Sequence, residues 1–434
     1  MPAYSTAHQL ASQTTVYARA TMSLVLQQLQ LYNWKNIASA LLEFSPCATI
    51  LYGPNAAGKT NIIEAIHQCT TGVSFKHTPA AAYISQGASR CSATTTLIDA
   101  ARTITLACKV ETPQVTLPCE DTSNTPAQQP AQLPTPRAKR TLFANGKPAR
   151  PYTLSAYAPS IVFTPDDLQC IKQSAKARRD EFDVFAKTIT REYQHIYTTY
   201  THCVEQRNTL LKQGISHDVR AAWDESFMCG AAALMYARMR LLERLYTHIT
   251  DVYRTIAPSE TLTYQYVPSW LRLPAHTPLT IQKSAHTPFL PGETPTKDEL
   301  YTLFSTLQPQ VQNLEAQRMQ TLLGPQRDDV QFFINGMDAR TCASQGQQRS
   351  IILAIKIAQV LLTQEIHGFY PILLLDDVMS ELDELRRNTI FSLIHNGIQA
   401  IITTTNLGYF SPEIQARAKV VDLYDANTPI KHIS

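Results

Sequence analysis

Gly53-Pro54-Asn55-Ala56-Ala57-Gly58-Lys59-Thr60 is the stretch from which the fold of this chain is read. It follows the apolar run Ala48 to Tyr52 and precedes the helix-forming Asn61 to Gln68. It therefore fits G-x-x-x-x-G-K-[ST] in the strand, loop and helix setting that gives the pattern its meaning. Gly53 and Gly58 let the backbone curl until its N–H groups converge on phosphate oxygens, and the helix aims its positive end at the same point. Lys59 is placed to bridge the β and γ phosphates of ATP, and Thr60 to hold Mg²⁺. The alternative is an ordinary glycine turn, but with 14 Gly in 434 residues a chance match to the whole pattern is rare.

Downstream lie the other parts such a loop needs. Pro371-Ile372-Leu373-Leu374-Leu375-Asp376-Asp377 is an apolar strand ending in two acids. Asp376 would hold the metal through water, and Asp377 would polarise the water that attacks the γ-phosphate. Ser344-Gln345-Gly346-Gln347-Gln348-Arg349 opens the strongly helical Ser350 to Ile366, and a hydroxyl with glycine N–H groups at a helix start makes a second anion site. Taken alone, that run is an N-cap. Because the phosphate loop already covers its own side of the nucleotide, the economical role for the second site is to serve the nucleotide of another protomer. Ser380-Glu381-Leu382-Asp383 follows the acids, and Ile401 to Asn406 is a later strand whose polar end, Thr404 and Thr405, could face the γ-phosphate or the attacking water.

Length predicts two or three domains, or one large core with an insertion. Hydrophobic content of 44% is that of a globular protein. No stretch approaches the roughly 18 uninterrupted apolar residues of a membrane span, which removes the embedded half of a transporter. Net charge is only +3, so nucleic-acid binding has to come from a local patch. Nine scattered Cys without a C-x-x-C pair argue against a disulfide framework or a zinc site and point to a reducing, cytoplasmic setting. Residues 1–21 hold no acid and are read as a disordered tail or an upstream start, with Met22 beginning the folded chain.

Along the chain, residues 111–140 are proline-rich and read as a solvated insertion, and 274–295 is a second proline-rich insertion. Asn145-Gly146 and Asn335-Gly336 suit tight hairpins, the second joining Val330 to Ile334 with Met337 to Cys342. Ala177 to Gly214 and Val219 to Ala257 read as two unbroken helices, each reaching roughly 55 Å at ~1.5 Å per residue, a projecting hairpin. Lys297 to Leu323 reads as a helix that stops at Gly324-Pro325.

The phosphate loop, S-x-G-Q-Q, the apolar Asp-Asp strand and S-E-L-D, in this order, resemble the ATP-binding-cassette head of SMC proteins and, more closely, the RecF family. The resemblance is carried by Asn33-Trp34-Lys35-Asn36, Gly53 to Glu64, Phe163 to Leu168, Arg178-Arg179, Trp223-Asp224, Gly324 to Asp329, Ser344 to Arg349 and Leu373 to Asp383. It implies an α/β P-loop ATPase head assembled from both ends of the chain: residues 22–165 and 324–434, with 166–323 as an inserted helical lobe. It further implies a weak, DNA-stimulated ATPase that forms an ATP-dependent homodimer and clamps gapped DNA. In the family this serves recombinational repair, replication-fork maintenance and the SOS response, with RecR and RecO as partners in loading recombinase. Basic residues Lys35, Arg178 and Arg179 are the expected DNA contacts. The sequence departs from the family's pattern at Ala56, which stands for Gly, and at Gln326, which stands for His; Asp377, where most cassette ATPases have Glu, is shared with RecF proteins and fits slow turnover. Two rivals are an SMC-like structural tether, for which the helices are short and no hinge domain is evident, and a nucleotide-switched scaffold that does not touch DNA.

Overall fold

The structure is a computed structural model that describes residues 24–76, 78–99, 101–112, 138–214, 217–273, 287–395, 397–424 and 430–432. The expected tail over 1–21, the start at Met22 and the run from Pro113 to Pro136 lie outside the described residues.

The chain opens with β1 (Val25–Trp34), β2 (Ile37–Glu43) and β3 (Ala48–Tyr52), then the phosphate loop and α1 (Lys59–Thr71). Next come β4 (Arg90–Ile98), β5 (Thr103–Glu111), β6 (Lys139–Ala144), β7 (Lys147–Ala149), the short α2 (Pro151–Ser155) and β8 (Ser160–Phe163). The middle holds α3 (Ala175–Ile189), α4 (Arg191–Lys212), α5 (His217–Ile256), β9 (Leu262–Val267) and α6 (Lys297–Arg318). The last part runs β10 (Asp329–Ile334), β11 (Met337–Asp338), α7 (Ala339–Cys342), α8 (Gln345–His367), β12 (Ile372–Asp376), α9 (Glu384–His395), β13 (Ala400–Thr404), α10 (Pro412–Arg417), β14 (Lys419–Asp422) and β15 (Ile430–His432).

Both ends of the chain build the head. A parallel sheet of order β14-β3-β13-β12-β8 lies beside an antiparallel sheet of order β15-β2-β1-β4-β5-β6-β7. Strands buried on both faces are apolar throughout, and alternate residues serve different cores. Leu51, Leu374 and Ile401 join α1 and the antiparallel sheet in one core, whereas Ile50, Leu373, Leu375 and Ile402 join α8 and the helical lobe in the other. Helix α1 is thereby sandwiched, with Ile62, Ile63, Ala65, Ile66 and Cys69 buried. Helix α8 is the helix among the described residues that is long and apolar enough to cross a membrane by composition, yet 72% of that stretch is buried inside the protein.

Several expectations for the lobe and its borders change. The helix foreseen from Ala177 to Gly214 breaks at Thr190, whose backbone is extended (φ −136°, ψ 127°). Its partner, the 40-residue α5, does not project freely: Ala231, Leu234, Met235, Leu245 and Ile249 bury it in the core that α8 also forms. Helix α6 stops at Met319, which turns left-handed (φ 53°), five residues before Gly324. β10 pairs with β9 along its whole length, so the expected border at 323/324 separates two strands of one sheet, β11-β10-β9. β11 is shorter than foreseen because Asp338 caps α7 at once. Within the second proline-rich run, where 274–286 lie outside the described residues, Phe289 is buried: it exchanges two backbone bonds of 2.9 Å with Tyr266 and sets its ring edge-on to Trp270. Both Asn-Gly hairpins form, with positive φ at Asn145 and Asn335.

Candidate nucleotide site

The loop from Gly53 to Gly58 is shaped by close approach and by backbone handedness. A Cβ on Gly53 would meet the Leu423 Cβ at 2.7 Å, and Gly58 caps α1 in the left-handed region (φ 83°). Ala56 also lies at φ 69°, a conformation that suits the glycine it replaces. Asn36 pins this bend: its side-chain NH₂ donates to the Ala56 carbonyl (3.2 Å) and its oxygen accepts from Asn61 (2.7 Å). The buried Lys59 ammonium donates to the carbonyls of Gly53 (2.8 Å) and Pro54 (3.0 Å) and lies 4.0 Å from Asp377. An ammonium hydrogen-bonded to loop carbonyls is ready to exchange them for phosphate oxygens. Pro54, Asn55 and Ala57 complete the loop, and Ala57 N–H donates back to the Pro54 carbonyl (3.3 Å).

Thr60 at the start of α1 meets the end of β12, where its hydroxyl donates to Asp376 Oδ1 (2.9 Å). Thr403, paired with Asp376 across β12 and β13, donates to the same oxygen (3.0 Å) and accepts from the Asp377 N–H (2.9 Å). Burial pushes the Asp376 carboxyl above its ordinary range, although both hydroxyls oppose the shift. A hydroxyl and a carboxylate converging on one point are hard oxygen donors of the kind Mg²⁺ takes, which keeps several waters and binds few protein groups. Asp377 is left-handed (φ 53°) and half-exposed, turned toward Lys59.

Of the two hydroxyls expected at the end of β13, Thr404 is buried and bonded to Asn406, and Thr405 is exposed. Thr403 is the one that touches the acids. Sequence position alone does not reveal it, because the contact depends on strand register.

Helix α8 begins at Ser344 with a complete capping box: the Gln347 N–H donates to Ser344 Oγ (3.2 Å), and the Ser344 N–H donates to Gln347 Oε1 (2.8 Å). Gln347 also reaches Glu260 (2.8 Å), and Gln348 holds the Ala343 carbonyl (2.8 Å). Ser344 and Gln345 are exposed, Gly346 is half-buried, and the first turn carries no acid. Among the described residues, the side-chain contacts of 344–349 run to Ala343, Glu260, Ser350, Glu381 and Arg386, and none runs to the phosphate loop. Ser380 donates to the Asp377 carbonyl (3.0 Å), and Asp383 pairs with Arg386.

A cleft of about 730 Å³ leads from Thr60, Asp376 and Asp377 between head and lobe to Lys356 on α8. There Lys356 joins Glu181 of α3 (2.8 Å) and Asp167 (3.5 Å). Burial, with the Lys356 charge nearby, pushes the His67 imidazole down to about 3, so it stays neutral while bonded to Ser160 (2.8 Å).

The three basic residues expected on DNA are occupied inside the protein. Arg178 is buried and forks onto both oxygens of Asp329 (2.9 and 2.8 Å), with Nη1 donating to the carbonyls of Ile171 and Gln173. Arg179 donates to the Asp328 carbonyl. Lys35 pairs with Glu64, where burial alone would raise the carboxyl but the ammonium and neighbouring hydroxyls hold it below its ordinary range. Charge in the sequence marked them; in the fold Arg178 is buried in a pair, and the other two are committed to neighbours. Gln326 likewise serves the lobe, bonded to Tyr200 and the Leu323 carbonyl.

Fold and site together define a P-loop ATPase head of the ABC/SMC type carrying an inserted helical lobe. The RecF/RecN/SMC N terminal domain matches residues 25–425. The "DNA replication and repair protein RecF" of Symbiobacterium thermophilum is 33% identical over 392 residues, covering 88% of this chain and 92% of that protein. The protein of the same name from Desulforamulus reducens is 30% identical over 388 residues, with the same coverage. The chain belongs to the RecF family. Its fold matches the solved recombination mediator protein RecF-ATP of the RecFOR pathway with a TM-score of 0.74 at 22% identity, covering 95% of this chain and 99% of that one.

Proposed function

We propose that this protein is an ATP-gated DNA clamp of recombinational repair, replication-fork maintenance and the SOS response, acting in the cytoplasm. The observation that carries this reading is the 2.9 Å contact of Thr60 with Asp376, which joins the phosphate loop to the acidic strand end beside Lys59 and Asp377. The phosphate loop binds the triphosphate of ATP through its N–H groups and Lys59. Bound Mg²⁺, held at Thr60 and Asp376, would neutralise charge on the β and γ phosphates. Asp377, half-exposed and turned toward Lys59, orients the attacking water.

The exposed start of α8, which does not contact its own phosphate loop, supports the second half of the reading: Ser344 and Gly346 meet the γ-phosphate held by a second copy. Two copies then close on two nucleotides and enclose gapped or duplex DNA. Loss of the γ-phosphate removes the shared contact and opens the pair, so ATP sets the time spent on DNA. RecR and RecO are the partners expected from the family in loading recombinase.

Retention on gapped DNA tests this, measured with and without ATP for wild type, Lys59→Ala and Asp377→Asn. Both variants lose turnover, and only Asp377→Asn accumulates on DNA with ATP. Binding falls steeply with salt, as phosphate contacts require. Equal retention without nucleotide would remove the gating.

A further inference from the structure

Beside the first turn of α8 sits a cation that helix electrostatics alone would not place there. Arg386, in the first turn of α9, sends Nη2 to the Gly346 carbonyl (2.8 Å) and to Ser350 Oγ (2.8 Å), and Nε to Ser350 Oγ (3.0 Å). Asp383 fixes the other end of the guanidinium through Nη1 and accepts from the Arg386 backbone N–H (3.0 Å). A Cβ at position 346 would come within 3.4 Å of Nη2, so the guanidinium lies against the glycine itself. A helix start already carries partial positive charge and favours anions, so a cation there works against the helix. No acid in the first turn of α8 offsets it, and the Asp383 carboxylate meets the guanidinium from the α9 side.

The same stretch makes a second link to α8, where Arg349 pairs with Glu381. The chain from Ser380 to Arg386, which follows the acids directly, is thus fastened to the helix start at two points. Through Ser380, which donates to the Asp377 carbonyl, the fastening continues to the hydrolytic corner.

We propose that Arg386 is a positioning residue for the nucleotide held by a second copy of this chain. It fixes Gly346 and Ser350 so that the free N–H groups of the α8 start face the incoming γ-phosphate, and it adds positive potential behind them. Asp383 acts one step further back by holding Arg386. The linkage means that each protomer's own acids and its contact to the other protomer's nucleotide move as one piece. This rests on the dimer reading above.

The test uses the full chain in an Asp377→Asn background with ATP and Mg²⁺, comparing the dimer dissociation constant with the affinity of the monomer for a fluorescent ATP analogue. Arg386→Ala weakens dimerisation at least tenfold while monomer affinity changes less than about twofold. Arg386→Lys, which keeps the charge but loses the planar fork, recovers only part of the loss. Asp383→Asn weakens dimerisation less than Arg386→Ala, and the double variant is no worse than Arg386→Ala alone. Unchanged dimerisation in Arg386→Ala would overturn the proposal, as would parallel losses of dimerisation, monomer affinity and thermal stability, the mark of a purely structural contact. Ser344→Arg separates the two readings. If it too dimerises normally, the trans contact itself is wrong; if it blocks dimerisation while Arg386→Ala does not, only the positioning role falls.

Discussion

At the scale of single residues, Ala56 carries an identifiable strain. Its φ of 69° places a Cβ in the left-handed region, which disfavours side-chain-bearing residues by roughly 1–2 kcal/mol. Asn36 and Asn61 hold the bend despite this. Ala56→Gly is expected to stabilise the protein by about 1 kcal/mol, the relief of strain exceeding the added freedom of the unfolded chain. A rise in the urea midpoint at unchanged slope would show it, and a fall would mean the loop is unstrained. The residues of the phosphate loop and the paired acids were legible from the sequence because their chemistry is local. Thr403 was not, since its neighbours Thr404 and Thr405 have the same chemistry and only the register of β13 against β12 selects between them.

At the scale of elements, buried pairing decides what charge can do. Arg178 ties α3 to the start of β10 through Asp329, both side chains nearly inaccessible at 3% and 2%. Arg178→Ala leaves the buried Asp329 with only the longer ion pair to Arg272 (3.6 Å) and is expected to cost about 3 kcal/mol, the low end for a broken buried pair. Replacing both, as Arg178→Met with Asp329→Leu, should recover most of that loss, because a buried pair exchanged for apolar groups is often neutral. Neither change should alter the salt dependence of DNA binding; a slope reduced by about one would restore Arg178 as a phosphate contact. The sequence read the strands and hairpins well, because alternation and Asn-Gly turns are short-range signals. It ran α3 and α4 together, since nothing in Ile189-Thr190-Arg191 forbids helix; the extended Thr190 lets both Phe185 and Tyr193 lie buried, with the Tyr193 hydroxyl donating back to Asp183 across the break. The prolines of 274–295 mark an insertion but do not reveal that one aromatic, Phe289, finds a strand edge and a ring to dock against.

At the scale of the whole molecule, the fold brings residues from distant parts of the chain to one corner. Thr60 and Asp376 are 316 positions apart, and the parallel sheet interleaves β3 from one end with β12, β13 and β14 from the other. That arrangement was legible because the motifs occur in a fixed order. The extent of the lobe was not, because the β9 to β10 pairing joins segments across the whole of α6. One protomer presents a phosphate loop and, away from it, an exposed helix start suited to an anion. In the function proposed above, two copies complete each other's sites. Static light scattering on Asp377→Asn with saturating ATP and Mg²⁺ measures this directly. Twice the chain mass of 48.5 kDa is expected with ATP and the single-chain mass without it; a single-chain mass under both conditions would rule out the shared sites.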